Sequence, residues 1–140
     1  MSDPIALSFA GKTASADGVG VLFAEDGHKL TPAAQDLDKK TKGLLSRAAE
    51  IAGFKGRKDQ TVDILAPQGL KFARLLLVGL EQPSTYGAED WLNLGGTVRG
   101  LLSGREAPSA HIFLETAGGD VAPADIASFA LGVLLRGYKF

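Results

Sequence analysis

The stretch Ala73-Arg74-Leu75-Leu76-Leu77-Val78-Gly79-Leu80 carries five large aliphatic side chains and, after Arg74, no polar residue. A strand with one face in water alternates apolar and polar residues, whereas a run apolar at every position suits a strand covered on both faces. This run is therefore expected as the central strand of a sheet with helices on either side. Just upstream, Thr61 to Ala66 alternates and stops at Pro67-Gln68-Gly69, which predicts a strand nearer an edge. Earlier still, Gly18 to Ala24 places Val19, Val21 and Phe23 on one face and Gly20, Leu22 and Ala24 on the other, and Ile5 to Phe9 is short and apolar. Glu25-Asp26-Gly27 forms a turn, and Lys55-Gly56-Arg57-Lys58-Asp59-Gln60 forms another.

Helical spacing fills the intervals. Thr31-Pro32 is a start signal, since Thr can cap free amides and Pro is tolerated in a first turn. One helix is expected from Pro32 to Ala52, with Leu37, Leu44, Leu45, Ala48, Ala49 and Ile51 as its apolar positions, Gly43 as a weak point and Gly53 as its stop. A second spans Ala88 to Ser103 with Trp91, Leu94, Val98, Leu101 and Leu102, and a strand follows over Ala110 to Glu115. The last helix, Pro123 to Tyr138, repeats Ile126, Phe129, Ala130, Val133, Leu134 and Tyr138, with Asp125 complementing its positive end. The order strand, strand, helix, strand, strand, helix, strand, helix predicts an α/β fold, a mixed sheet sandwiched between helices.

With 140 residues the chain has the size of one domain, able to bury roughly 70% of its unfolded surface. Hydrophobic residues make up 45% and charged residues 22%, too apolar a balance for disorder. The net charge of -1 supplies no global field to draw nucleic acid or an anionic membrane. The absence of cysteine excludes disulfides, thiolate metal sites and a thiol nucleophile, and agrees with a reducing cytoplasm. No apolar run approaches the roughly 18 residues of a membrane span, and no secretory leader pattern opens the chain, so neither membrane insertion nor secretion is expected. The last helix runs into Lys139 and Phe140 with neither a glycine cap nor a polar tail, which reads as a leading domain whose boundary lies at or beyond Phe140.

Site chemistry is sparse. His28 lies in a turn and His111 in a strand, without companions at metal-ligand spacing, and both read as structural. Asp17, Glu25 and Asp26 lack the regular oxygen spacing of a calcium loop and read as a solvated turn. Ser84 and Ser103 sit in no nucleophile elbow, and Gly18 and Gly20 do not lead into a helix as a dinucleotide turn requires. Gly96, Gly100 and Gly104 form a bare stripe on the second long helix, suited to close core packing or a subunit contact. The best nucleic-acid candidate is the basic set Lys39, Lys40, Lys42, Arg47, Lys55, Arg57 and Lys58, diluted by Asp36, Asp38, Glu50 and Asp59, so that a solvated face is favoured.

The segments "ARLLLVGL", "LGGTVRGLL" and "DIASFALGVLLRGYKF" resemble the N-terminal domain of the leucyl aminopeptidase family, the cytosol aminopeptidases. The resemblance implies a small α/β sandwich, macro-domain-like in shape, whose last helix leads into a peptidase domain. It further implies a parent enzyme that forms hexamers and releases N-terminal amino acids, often leucine, with two divalent metals such as zinc, manganese or magnesium. The metal ligands of that family, a lysine and several carboxylates including an Asn-Thr-Asp-Ala-Glu-Gly-Arg-like motif, belong to the later domain. Here the only asparagine, Asn93, is followed by Leu94, so no catalytic, cofactor or metal residue is carried over. The leading expectation is a noncatalytic assembly or regulatory domain partnered by its own C-terminal peptidase domain. The alternatives are a stand-alone macro-like module for ADP-ribose or another nucleotide, and a DNA-binding accessory domain using the basic set, since some family members bind DNA.

Overall fold

The computed structural model describes residues 6–9, 18–65, 67, 69, 70, 72–103 and 109–137. Expectations for Ile5, Asp17, Ala66, Gln68, Gly104 and Tyr138 to Phe140 lie outside the described residues. In chain order the elements are β1 (Ala6–Phe9), β2 (Val19–Glu25), β3 (Lys29–Leu30), α1 (Pro32–Lys40), α2 (Leu44–Ala52), β4 (Thr61–Leu65), β5 (Arg74–Glu81), a single 3₁₀ turn (Pro83–Thr85), α3 (Ala88–Ser103), β6 (Ser109–Ile112), β7 (Glu115–Thr116), β8 (Gly119–Asp120) and α4 (Pro123–Gly137).

The main sheet runs β1-β6-β2-β5-β4, with β3 attached to β2. The first four strands are mutually parallel, while β4 pairs antiparallel with β5 and takes the edge that its alternating pattern predicts. The central strand is β2 and not β5, which corrects the expectation drawn from the leucine run. Continuous apolarity reports that both faces are covered, and β5 meets that condition one place from the edge. The small residues of β2 hide its position because the centre is tightly packed: a Cβ on Gly20 would stand 2.9 Å from Leu75 Cδ2 and 3.1 Å from Phe72 Cε1.

Each face of the sheet holds its own core. Val19, Val21, Phe23, Leu76 and Val78 pack against Trp91, Leu94, Val98, Leu102, Phe129 and Val133 of α3 and α4, with Phe23 and Phe129 edge to face at 6.5 Å. Leu22, Ala24, Leu75 and Leu77 pack against Ala34, Leu37, Leu45 and Ala49 of α1 and α2. Burial of this apolar surface is the main stabilising term. The alternation read in β2 thus divides its side chains between two layers, and the mixed α/β architecture follows.

The helix expected over 32–52 is two helices. Lys42 (φ 58°) and Gly43 (φ 85°) adopt left-handed backbone, which no α-helix continues through. Asp38 bridges the break: its carboxylate accepts from the Ser46 amide at 3.1 Å and the Ser46 hydroxyl at 2.6 Å. Two short helices let both apolar stripes lie on the sheet, but they turn Ile51 outward to 83% exposure, so that residue leaves the expected apolar set. Leu134 likewise faces outward on α4, at 62%. The strand expected over 110–115 ends at Ile112, and Glu115 instead opens a hairpin in which β7 pairs with β8.

Glycines do mediate a close helix crossing, between α3 and α4. A Cβ on Gly95 would run into the Phe129 carbonyl oxygen, and one on Gly132 into that of Leu92. Gly96, by contrast, would clear the Gly132 carbonyl oxygen by 3.8 Å, and Gly100 lies beneath the Arg136 guanidinium. The contact belongs to the core, with its pivot one residue before the stripe read from the sequence.

Candidate functional site

Open sheets of parallel strands usually bind ligands beyond the carboxyl ends of the strands, where the strand order reverses. Here that point is the end of β2, flanked by β5 on one side and β6 on the other. The chain fills the crevice itself. The Thr31 hydroxyl donates to the Phe23 carbonyl at 3.0 Å instead of capping α1. The free amide of Ala33, in the first turn of α1, donates to the Glu115 carboxylate at 2.5 Å. Across the same edge the Ala117 amide donates to the Glu25 carboxylate at 2.5 Å. A helix N-terminus attracts anions through its free amides and dipole. Glu115 already holds the Ala33 amide, so an incoming phosphate would have to displace a carboxylate of the protein to reach it.

Beside it, past the end of β5, lies a hollow of about 230 Å³ lined by Lys58, Gln60, Gly79, Tyr86, Asp90 and Asn93, among others. Lys58 Nζ lies 3.7 Å from Asp90 Oδ1 and 4.8 Å from the centre of the Tyr86 ring. Asp90 also accepts from the Gly87 amide at 2.8 Å, and the Tyr86 hydroxyl donates to the Leu80 carbonyl at 2.8 Å. Burial, then the charges of Asp90 and Glu81, push the Tyr86 hydroxyl up to about 12, so it stays protonated at neutral pH. Within this hollow Lys58 and Asp90 are thus paired with each other, while Tyr86 and Gln60 are bonded to backbone outside it. A second hollow, of about 380 Å³, is lined by His28, Ser46, Glu50, Gly53, Phe54 and Lys55 and is mainly apolar, with the His28 ring edge-on to Phe54 at 6.3 Å.

The basic set divides. Lys39 and Lys40 end α1 and Lys42 follows in the break, close to Gly69 before β5 begins, where a Cβ on Gly69 would be 3.8 Å from the Lys40 carbonyl oxygen. Lys55, Arg57 and Lys58 lie at the opposite end, where the Glu81 amide bonds the Gly56 carbonyl at 2.7 Å. The length of β5, roughly 23 Å at about 3.3 Å per residue, separates the two groups. Arg47 is exposed on α2 between them. Partners already serve three of these cations: Lys40 pairs with Asp36 at 3.2 Å, Arg57 approaches Asp26 at 4.0 Å, and Lys58 holds Asp90.

Among the described residues no three His, Asp or Glu side chains converge to hold a metal ion. The residues present therefore do not fit the two-metal centre that the resemblance implies, which needs several converging oxygen ligands. The His111 ring lies tilted against Phe113 with ring centres 4.5 Å apart, and the Ser103 hydroxyl bonds Arg99. Sequence reasoning passed over Glu115, Tyr86 and Gly95. Gly95 adjoins Gly96 and could have been read from the pair, but nothing near Glu115 or Tyr86 signals a role.

Comparison with known proteins places this geometry. The model of the cytosol aminopeptidase family, N-terminal domain, matches residues 19–140. Relatives named "Probable cytosol aminopeptidase" match over the whole chain: 37% identical in Afipia carboxidovorans, 38% in Rhodopseudomonas palustris and 36% in Agrobacterium fabrum. The chain spans 28% of the length of each of them. A solved structure of a mutant tomato leucine aminopeptidase shares the fold, with a TM-score of 0.74 and 21% identity over 99% of this chain and 29% of that one. With the family model matched over residues 19–140 and relatives matched along the whole of its length, this chain belongs to the cytosol aminopeptidase family and corresponds to its N-terminal domain.

Proposed function

We propose that residues 1–140 form a noncatalytic N-terminal domain, contributing assembly or regulation to a leucyl aminopeptidase. The full-length protein would release N-terminal amino acids from peptides with two divalent metals, zinc, manganese or magnesium, held in a following peptidase domain. The observation that carries this reading is the crevice at the end of β2, where the carboxylates of Glu115 and Glu25 are bonded to the amides of Ala33 and Ala117. Family membership over 28% of the relatives' length supports placing the chemistry elsewhere. The parent is proposed to be a cytoplasmic hexamer and this sandwich to be macro-domain-like. No helix among the described residues is long and apolar enough to cross a membrane.

The test is hydrolysis of leucine-p-nitroanilide by the 140-residue chain and by the full-length protein, each with and without a chelator. Chelator-sensitive turnover is expected from the full-length protein alone. Turnover by the short chain, above a denatured control, would overturn the reading.

A further inference from the structure

One side of α4 packs on α3 and the sheet through Phe129, Gly132 and Val133. On another side, within its last two turns, Leu131, Leu134 and Leu135 stand three and four residues apart and remain 47%, 62% and 46% exposed. That spacing puts them on one ridge of the helix. The other large apolar side chains exposed among the described residues, Ile51 and Leu65, are single positions on α2 and β4. The leucine ridge is thus a local concentration of apolar surface in a chain that otherwise divides its apolar residues between two cores.

We infer that Leu131, Leu134 and Leu135 seat the polypeptide that follows α4 in the full-length protein, an inference that rests on the reading proposed above. Two considerations choose this occupant over a second copy of the chain. The matched relatives are longer by far, and the match is to their N-terminal domain, so most of their length continues from the end of this helix. Three partly exposed leucines present on the order of a few hundred Å², well short of the ~800 Å² per partner buried in a stable association of free proteins. A patch that small holds a partner only when a tether raises its effective concentration, on the order of millimolar for a short linker. The last turns of α4 lie beside the tether point.

Side-chain footprinting by carbene or hydroxyl-radical labelling, on the 140-residue chain and on the full-length protein, tests this without any substitution. In the full-length protein labelling of the three leucines is expected to fall about five-fold, as at a packed interface core. Ile51 and Leu65 serve as exposed references and should label alike in both proteins, and the protection should persist in full-length protein dissociated to the monomer. Equal labelling of the leucines in the two proteins overturns the inference, as does protection that vanishes on dissociation to the monomer, which would make a second copy the occupant. A full-length protein that hydrolyses leucine-p-nitroanilide while its leucines label undiminished overturns this inference alone; one with protected leucines and no hydrolysis overturns the reading of activity alone. A reading frame that closes at Phe140 overturns both.

Discussion

Tyr86 follows the 3₁₀ turn after β5, with its hydroxyl bonded to the Leu80 carbonyl and its ring under Lys58. Its ordinary value of 10.0 is raised to about 12, first by burial and then by the neighbouring carboxylates. Below pH 10 the folded and unfolded chains both keep this proton. Between about 10 and 12 only the unfolded chain loses it, so this contribution to stability falls as pH rises and is gone above 12. A tyrosinate absorbance titration should show a component near 12 that Tyr86→Phe abolishes; a wild-type curve with every tyrosine ionising near 10 would sink the assignment. This group was illegible in the sequence because its shift comes first from burial, which only the fold creates, and then from carboxylates at Asp90 on the next helix and Glu81. Glu115 was hidden for a related reason, since its partner Ala33 is 82 residues away and no local pattern announces a cap supplied from that distance.

Between elements, the α3–α4 crossing gives two glycines opposite roles. Alanine is the better helix former by about 1 kcal/mol, so Gly96→Ala, with 3.8 Å of clearance, should be neutral or stabilising by up to that amount. Gly132→Ala drives its methyl into the backbone of Leu92 and should cost about 3 kcal/mol or more, because the helices must separate. Urea unfolding of the two variants decides it, and equal midpoints would contradict the close crossing. The elements themselves were largely legible, since periodicity in β4, α3 and α4 and the unbroken apolar run of β5 survive any local chemistry. The break at Lys42-Gly43 was half legible: Gly43 marked a weak point, but Lys42 in left-handed backbone is a concession to tertiary packing that no lysine signals. Strand order was harder, because side-chain pattern records which faces are covered and says nothing of which neighbour lies alongside.

For the molecule as a whole, the consequence lies in how late β2 acquires its two parallel neighbours, since β3 covers only its last two residues early. Its partner β5 is encoded some fifty residues downstream, and β6, which pairs Ala110 with Val19, some ninety. On a ribosome adding roughly 5–20 residues per second, the strand that ends up at the centre waits on the order of 5–20 s with an open hydrogen-bonding edge. Val19, Val21, Leu22 and Phe23, all buried at the end, spend that interval accessible to solvent. Nascent chains stalled before residue 109 should therefore retain a holdase chaperone that chains stalled after α4 has emerged release. Equal chaperone crosslinking at both lengths would show that β2 is sheltered before its second neighbour exists. Synthesis of this domain is thus exposed to aggregation by the very strand around which its sheet is built.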